Sequence, residues 1–187
     1  MLANPPLPIQ TERLVLRAYR DTDVDATLAY YGDHEVSRFL LTEPFTRADA
    51  EQAVAQRIRR TSPQQAGDKL ALVVEHDARL VGDIVLEFKG DLMSIAEVGW
   101  VFHPAAGGRG FATEAARAVV DLAFQRYAVH RVVAQLDARN VTSARLCERL
   151  GMTREAYLRR DWFSKGEWTD TLIYGVLAEE WSALPRT

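Results

Sequence analysis

A long amphipathic helix between two strand-like segments constrains the fold of this chain more than any other feature. Apolar residues recur at helical spacing from Thr113 to Tyr127, with polar residues on the opposite face. Strand-like apolar runs stand before this helix, at Ser94–Phe102, and after it, at Arg131–Asp137. A strand, helix, strand passage predicts one right-handed parallel crossover in a sheet packed against the helix.

Three strand-like runs in the middle of the chain predict an antiparallel meander. The runs are Leu70–His76, Leu80–Phe88 and Ser94–Phe102, and the segments between them are short enough for hairpin turns. The sheet is therefore expected to be mixed, with one parallel crossover in an otherwise antiparallel arrangement. The fold class is α+β, or α/β by a looser convention.

The remaining segments complete a prediction of one domain, residues 1–187, with about seven strands and about four helices. Arg13–Ala18 alternates polar and apolar residues as a half-buried strand does, and Thr46 can cap a helix that ends at Ser62-Pro63. The other predicted elements are a helix over residues 22–32, a short helix from about Thr142 to Leu150 ended by Gly151, and two terminal strands around Lys165-Gly166.

Composition and charge exclude several classes of protein. The 23 basic and 26 acidic residues give a net charge of −3, so no broad basic field is available for nucleic acid. The single cysteine, Cys147, excludes an internal disulfide, and the four histidines show no metal-ligand spacing, which predicts no metal. With no recognisable signal sequence or membrane span, we expect a soluble protein of the reducing cytoplasm.

A glycine-rich loop joins the third meander strand to the long helix. Glycines 107, 108 and 110 allow a ligand to approach the backbone, and the unpaired N–H groups at the helix start favour an anion such as a pyrophosphate. A tight strand-to-helix turn without any ligand is the alternative interpretation. Neither a Gly-Lys-Ser/Thr loop nor an early Gly-x-Gly-x-x-Gly motif is present, so neither common nucleotide loop applies.

The loop and its surroundings resemble the GNAT superfamily of acetyl-CoA-dependent N-acetyltransferases, whose signature is Gln/Arg-x-x-Gly-x-Gly/Ala. Here the signature reads Gly107 to Ala112, with glycine in the first position. Further matches lie at Glu97-Val98-Gly99-Trp100, Asn140-Val141-Thr142-Ser143 and Leu146 to Met152. The segments Thr11 to Arg17 and Asp170 to Tyr174 are similar to the branch that contains the ribosomal-protein N-terminal acetyltransferases.

This resemblance implies a GNAT-type fold with acetyl-CoA as co-substrate and a cofactor site along the glycine loop. The pyrophosphate would lie on the amides of Gly108, Arg109, Gly110, Phe111, Ala112 and Thr113. The pantetheine arm would pair with Trp100, Val101 and Phe102, and the Val101 amide would polarise the acetyl carbonyl. Asn140 matches a position that contacts the cofactor near its thioester, and Ser143 matches a hydroxyl position one helical turn on. A helix cap is the alternative interpretation of Asn140.

The resemblance also implies catalytic roles. Glu97 is the candidate general base, directly or through water, with a structural strand glutamate as the alternative. The next strand carries Gln135 where some relatives have a glutamate, and Cys147 stands where relatives often have a tyrosine that protonates the leaving thiolate. Ser143 is therefore the preferred proton donor, and Cys147 is expected to be a core residue.

The acceptor is left open between a protein N-terminus and a small amine such as a polyamine, an amino acid or an amine-bearing antibiotic. The aromatic segment from Asp161 to Trp168, together with Tyr30, Tyr31 and Phe39, is a candidate acceptor pocket. A non-catalytic acetyl-CoA-binding module and a purely structural protein are the competing functions. A homodimer is a family expectation, because exposed terminal strands can pair between subunits.

Overall fold

The computed structural model describes residues 5–185 of the chain. Eight strands form one sheet in the order β1-β2-β3-β4-β5-β6-β8-β7. The strands are Ile9–Gln10 (β1), Val15–Ala18 (β2), Lys69–His76 (β3), Arg79–Lys89 (β4), Ile95–Phe102 (β5), Arg131–Asp137 (β6), Thr153–Ser164 (β7) and Glu167–Leu177 (β8). The helices are Val24–Tyr31 (α1), His34–Ser37 (α2), Arg47–Ile58 (α3), Phe111–Tyr127 (α4), Val141–Arg149 (α5) and Ala178–Ala183 (α6).

The predicted α+β class, the meander and the parallel crossover are confirmed. The pair β5–β6 is parallel, and every other neighbouring pair of strands is antiparallel. The structure adds the two-residue strand β1 and the short helices α2 and α6 to the predicted elements. These additions are too short to produce a periodic pattern in the sequence.

Helices cover both faces of the sheet. On one face, α4 buries apolar residues such as Val119, Val120 and Ala123 against the central strands, in the larger hydrophobic core. On the other face, Val54 of α3 packs against Ala71 and Val73 of β3 in a smaller core. No helix within residues 5–185 is both long and apolar enough to cross a membrane.

The two central strands separate along their length. Strand β5 pairs with β6 only at Ile95–Glu97, opposite Arg131–Val133, although both strands continue beyond these residues. Strand β6 meanwhile stays paired with β8 as far as Asp137 and Thr171. The sheet therefore opens between the last residues of β5 and β6, at the end where α4 begins.

Candidate functional site

The opening between β5 and β6 exposes backbone groups whose direction follows from the register. The N–H of His103 donates to Val81 O of β4 at 2.9 Å, and alternate residues of a strand point to the same side. The N–H of Val101 therefore faces its partner Asp83 on β4. The N–H groups of Trp100 and Phe102 face the opening instead.

This register corrects the role expected for the Val101 amide. A donor engaged in the β4–β5 ladder is not free to polarise an acyl carbonyl, because its hydrogen bond already holds two strands together. Trp100 and Phe102 supply the available amides at the same level of the strand. Val101 remains part of the site, since it lines both of the cavities that extend from the opening.

The glycine loop presents a second set of backbone donors. Gly108 and Gly110 have φ angles of 73° and 79°, a left-handed conformation that favours glycine. The N–H of Glu114 is the first in the helix that donates to a backbone carbonyl one turn earlier, namely Gly110 O at 3.1 Å. The N–H groups of residues 108–113 have no protein acceptor within the described chain, so this helix start is suited to an anion.

The N-terminal segment holds the loop in place through Glu114. The Glu114 carboxylate accepts from the Thr11 hydroxyl at 2.6 Å, from the Arg13 N–H at 2.8 Å and from Arg13 Nε at 2.7 Å. Arg13 Nη1 also donates to Arg109 O at 2.9 Å, inside the loop. Burial works to raise the pKa of Glu114, but the hydrogen bonds from Thr11 and Arg13 outweigh it and hold that pKa below its ordinary value.

A groove of about 360 Å³ runs from the loop along β5. Its walls come from the end of β5, the first turn of α4 and helix α5, and they include Trp100, Val101, Phe102, Ala112, Asn140 and Ser143. The structure therefore brings together the residues that the sequence assigned to the cofactor on β5 and on α5.

Helix α5 begins at the edge of this groove. Asn140 caps the helix, because its Oδ1 accepts from the Ser143 N–H at 3.0 Å. The Ser143 hydroxyl in turn accepts from Trp100 Nε1 at 3.2 Å, which joins α5 to β5. The capping role of Asn140 and its place beside the groove are thus both present.

A junction cavity of about 260 Å³ lies where the groove reaches the opposite face of the sheet. Asp83, which is buried, lines it and accepts from Tyr30 Oη at 2.7 Å, Tyr31 Oη at 3.2 Å and Arg57 Nη1 at 3.3 Å. Burial, followed by the charge of Asp83, raises the pKa of Tyr31, so its hydroxyl stays protonated. Tyr31 lines this cavity, whereas the fully buried Tyr30 supports it from behind.

An outer cavity of about 470 Å³ adjoins the junction cavity. It contains Glu97, whose Oε2 lies 2.6 Å from Lys89 Nζ. The hydrogen bond from Lys89 to Glu97 raises the pKa of the lysine. Glu97 is therefore ion-paired, and it lines the outer cavity but neither of the other two.

Asp137 connects the outer cavity to the junction cavity, since it lines both. Its Oδ2 lies 2.7 Å from Arg139 Nη2, and the same guanidinium lies 2.8 Å from Glu167. Burial works to raise the pKa of Asp137, but the hydrogen bonds from Arg139 outweigh it and lower that pKa. A carboxylate here was not predicted from the sequence, although its position at the end of β6, just before Asn140, is a usable signal.

The segment after α2 closes the site. Phe39 and Leu40 line the groove, the junction cavity and the outer cavity. The ammonium of Lys165, at the tip of the β7–β8 hairpin, donates to Ser37 O and so ties the hairpin to this segment. The predicted acceptor residues that line these cavities are Tyr31, Phe39, Trp162, Ser164, Lys165 and Glu167. None of the cavities is lined by Tyr30, Asp161, Phe163 or Trp168.

Cys147 lies on the buried face of α5. Its side chain is fully buried, and burial raises the pKa of the thiol to about 12. The thiol therefore stays protonated and inaccessible at neutral pH. Within residues 5–185 no group of three or more potential metal ligands is present.

Comparison with known proteins gives consistent matches along the chain. The family model for the acetyltransferase (GNAT) domain matches residues 13–153. The uncharacterized N-acetyltransferase YnaD of Bacillus subtilis (strain 168) is 30% identical over 175 residues, which cover 93% of this chain and 99% of that protein.

Solved structures of the same fold are also similar. The crystal structure of an acetyltransferase (GNAT family) from Bacillus anthracis has a TM-score of 0.84 and 31% identity, covering 93% of this chain and all of that chain (100%). A spermidine N-acetyltransferase from Vibrio cholerae, in complex with CoA and spermine, has a TM-score of 0.77 and 20% identity, with coverage of 92% and 99%. At that identity, the likeness to the Vibrio cholerae protein concerns the fold alone.

Proposed function

The chain belongs to the GNAT acetyltransferase family and is an acyltransferase, and from this premise we propose that it moves an acetyl group from acetyl-CoA directly to a primary amine. The observation that carries this proposal is the opening between β5 and β6, which leads from free amides at the α4 start to the outer cavity. An amine in the outer cavity and an acyl donor in the groove would meet at the junction cavity. The Vibrio cholerae structure, solved with CoA and spermine, is an example of this fold holding CoA together with an amine.

The residues around the groove fit acetyl-CoA, which supplies the acetyl group as a thioester. The N–H groups of residues 108–113 would hold its pyrophosphate. The amides of Trp100 and Phe102 face the opening and are the donors available to the acyl carbonyl. Asn140 and Ser143 would contact the arm from the α5 side of the groove.

Proton transfer divides between two proposed groups. Glu97, acting through water, would receive the proton of the amine, and the ion pair with Lys89 keeps it oriented in the cavity. Departure of a thiol of pKa about 8.5 as a thiolate costs about 2 kcal/mol at pH 7, which the Ser143 hydroxyl would reduce by donating a hydrogen bond. Cys147 has no place in this scheme, since its thiol is buried.

The exposed edge of the sheet supports a homodimer as part of the proposed function. Strand β7 is the last strand in the sheet and pairs with β8 alone within residues 5–185. Large apolar side chains on and beside it are exposed, namely Tyr157, Leu158, Trp162, Phe163 and Trp168. An unpaired, apolar edge strand is suited to pairing with a second copy of the chain.

A single buried thiol and acetyl-CoA chemistry fit the cytoplasm as the location of this protein.

The test is acetyl-CoA-dependent release of free thiol over a panel of amines, with the wild type and Glu97→Gln compared. At pH 7, deprotonation costs about 4–5 kcal/mol for an alkyl amine of pKa about 10.4, but about 1 kcal/mol for an α-amine of pKa about 7.8. We therefore expect Glu97→Gln to lower kcat by about 10²-fold on alkyl amines, and by less on α-amines.

Glu87→Gln is the matched control for this experiment. Glu87 stands directly opposite Glu97 on β4 and forms its own ion pair with Lys69 at 2.8 Å. If both variants lose activity equally, Glu97 acts only through the charge of the cavity. Absence of thiol release from every amine, in a protein whose melting temperature acetyl-CoA raises, would contradict the transferase proposal itself.

A further inference from the structure

The charged side chains of the outer cavity are unevenly distributed. Among the described residues that line it, five are basic and four are acidic. The floor, formed by β3, β4 and β5, is balanced, because Lys69 pairs with Glu87 at 2.8 Å and Lys89 pairs with Glu97 at 2.6 Å. The remaining charges form two groups: an acidic group, in which Asp137 and Glu167 pair with Arg139, and a basic group of Lys165 and Arg38.

The acidic group reaches the junction cavity through Asp137, whereas Glu167 and Arg139 line the outer cavity alone. Asp137 and Glu167 share the single guanidinium of Arg139, at 2.7 and 2.8 Å, so two negative charges meet one positive charge. Only 9% of the Asp137 side chain is exposed, and Asp137 also lines the junction cavity. The lowered pKa of Asp137 keeps it ionised at neutral pH. This end of the cavity therefore favours the positive charge of an amine beside the reaction centre.

The basic group lies at the segment after α2. The Lys165 ammonium is held by a backbone carbonyl, Ser37 O, and not by a carboxylate. Arg38 follows Ser37 in the chain, and the nearest carboxylate to it is Glu35 at 4.0 Å, on a side chain that is 83% exposed. An ion pair of that length and exposure contributes little neutralisation. Within residues 5–185, neither of these two positive charges at the cavity is paired with a buried carboxylate.

We propose that the acceptor is a small amine that also carries an anionic group, with its amine at Asp137 and its anion at Lys165 and Arg38. An amino acid, with its α-carboxylate, has this chemistry. A polyamine does not fit, because its second ammonium would lie against Lys165 and Arg38 while the floor carboxylates are already paired. This inference rests on the proposed transferase function, whose site it makes more specific.

The first test compares amino acids with their own amides and with spermidine. Binding to the CoA-loaded protein is measured by titration calorimetry, and turnover is measured by thiol release. We expect at least one free amino acid to bind at least about tenfold more tightly than its amide, as the loss of a charge-assisted contact predicts. The amide has the more easily deprotonated amine, so amine reactivity alone would give the opposite order in turnover.

A second arm separates two sources of the anion. Short peptide amides with an acidic first residue carry a side-chain carboxylate without an α-carboxylate. Tighter binding of the free amino acid than of these peptides indicates that the anion is an α-carboxylate. Tighter binding of the peptides indicates that the anion is an acidic side chain. Either result supports an anion-bearing acceptor. Equal or tighter binding of amino acid amides and spermidine would overturn the proposal.

Variants of the basic group test the assignment of residues. Lys165→Gln keeps a hydrogen-bond donor for Ser37 O but removes the charge, and Arg38→Ala removes the second charge. Each is expected to raise KM and Kd for the anion-bearing amine by about tenfold, with little change for the matching amide. Arg59→Ala, at an exposed residue that lines none of the three cavities, is the control.

The outcomes distinguish this inference from the transferase proposal. Tight binding of an amino acid without any turnover supports the acceptor class and contradicts the transferase function. Turnover that prefers spermidine or amides, or that Lys165→Gln and Arg38→Ala leave unchanged, supports the transferase and contradicts the acceptor class.

Discussion

At the scale of single residues, Cys147 separates a structural role from a catalytic one. We expect Cys147→Ala to leave kcat within about twofold of wild type, because the thiol reaches none of the cavities, and to lower the free energy of unfolding by on the order of 1 kcal/mol through the small void. Urea denaturation and thiol-release kinetics measure the two effects. A loss of activity of about a hundredfold in a folded variant would make the thiol a catalytic group.

The raised pKa of the Cys147 thiol gives this prediction a pH dependence. The ordinary value is 9.0 and the folded value is about 12, so the unfolded thiol loses its proton first. The stability that comes from keeping the thiol neutral is complete below pH 9 and is lost as the pH rises from there toward about 12. Alkylation near pH 9 should accordingly be much slower in the native protein than in urea.

At the scale of elements, the contact between the N-terminal segment and α4 positions the glycine loop. Glu114→Gln removes the charge that Thr11 and Arg13 surround. We expect KM for acetyl-CoA to rise by about tenfold with a smaller change in kcat, because charge-assisted hydrogen bonds at the loop are lost while the groove stays intact. Steady-state kinetics at varied acetyl-CoA measure this change.

The lowered pKa of Glu114 predicts the direction of the pH effect. The stabilisation from the ionised carboxylate is present above the ordinary pKa of 4.5 and is lost as the pH falls through the lower folded value. Glu51→Gln, at an exposed residue of α3 paired with Arg47, is the matched control and should leave KM unchanged. An equal effect of both variants on KM would show that the contact at the loop has no positioning role.

At the scale of the whole molecule, the free edge of β7 predicts the assembly state. We expect light scattering to give twice the 21.0 kDa mass of one chain, and the double variant Leu158→Lys, Phe163→Lys to give the monomer mass. Charged residues on an edge strand oppose pairing with a second edge. Circular dichroism shows whether the variant is folded, and a wild-type monomer at micromolar concentration would contradict the proposed dimer.

The sequence predicts the long elements of this molecule better than the direction of its backbone groups. Helix α4 and the meander have strong periodic signals, whereas β1, α2 and α6 have too few residues to show any period. The glycine loop could be recognised, because its composition is local. The direction of the Val101 N–H could not be predicted from the sequence, because it depends on the hydrogen-bond register with β4.

Charged contacts between distant parts of the chain also escaped prediction. Glu167 reaches Arg139 only because the β7–β8 hairpin folds back over the end of β6. Lys165 likewise meets Ser37 across more than half of the chain. Nothing in the local pattern encodes such pairs, so the charge distribution of the outer cavity emerged only from the tertiary structure.

The shared wall formed by Phe39 and Leu40 has a thermodynamic consequence for how two substrates are held. Both side chains line the groove and the outer cavity, so a molecule in either space restricts the same pair of side chains. The second substrate then meets side chains that are already ordered, and the two affinities become coupled. Such coupling is reciprocal: the factor by which bound CoA lowers the Kd of the amine equals the factor by which the bound amine lowers the Kd of CoA.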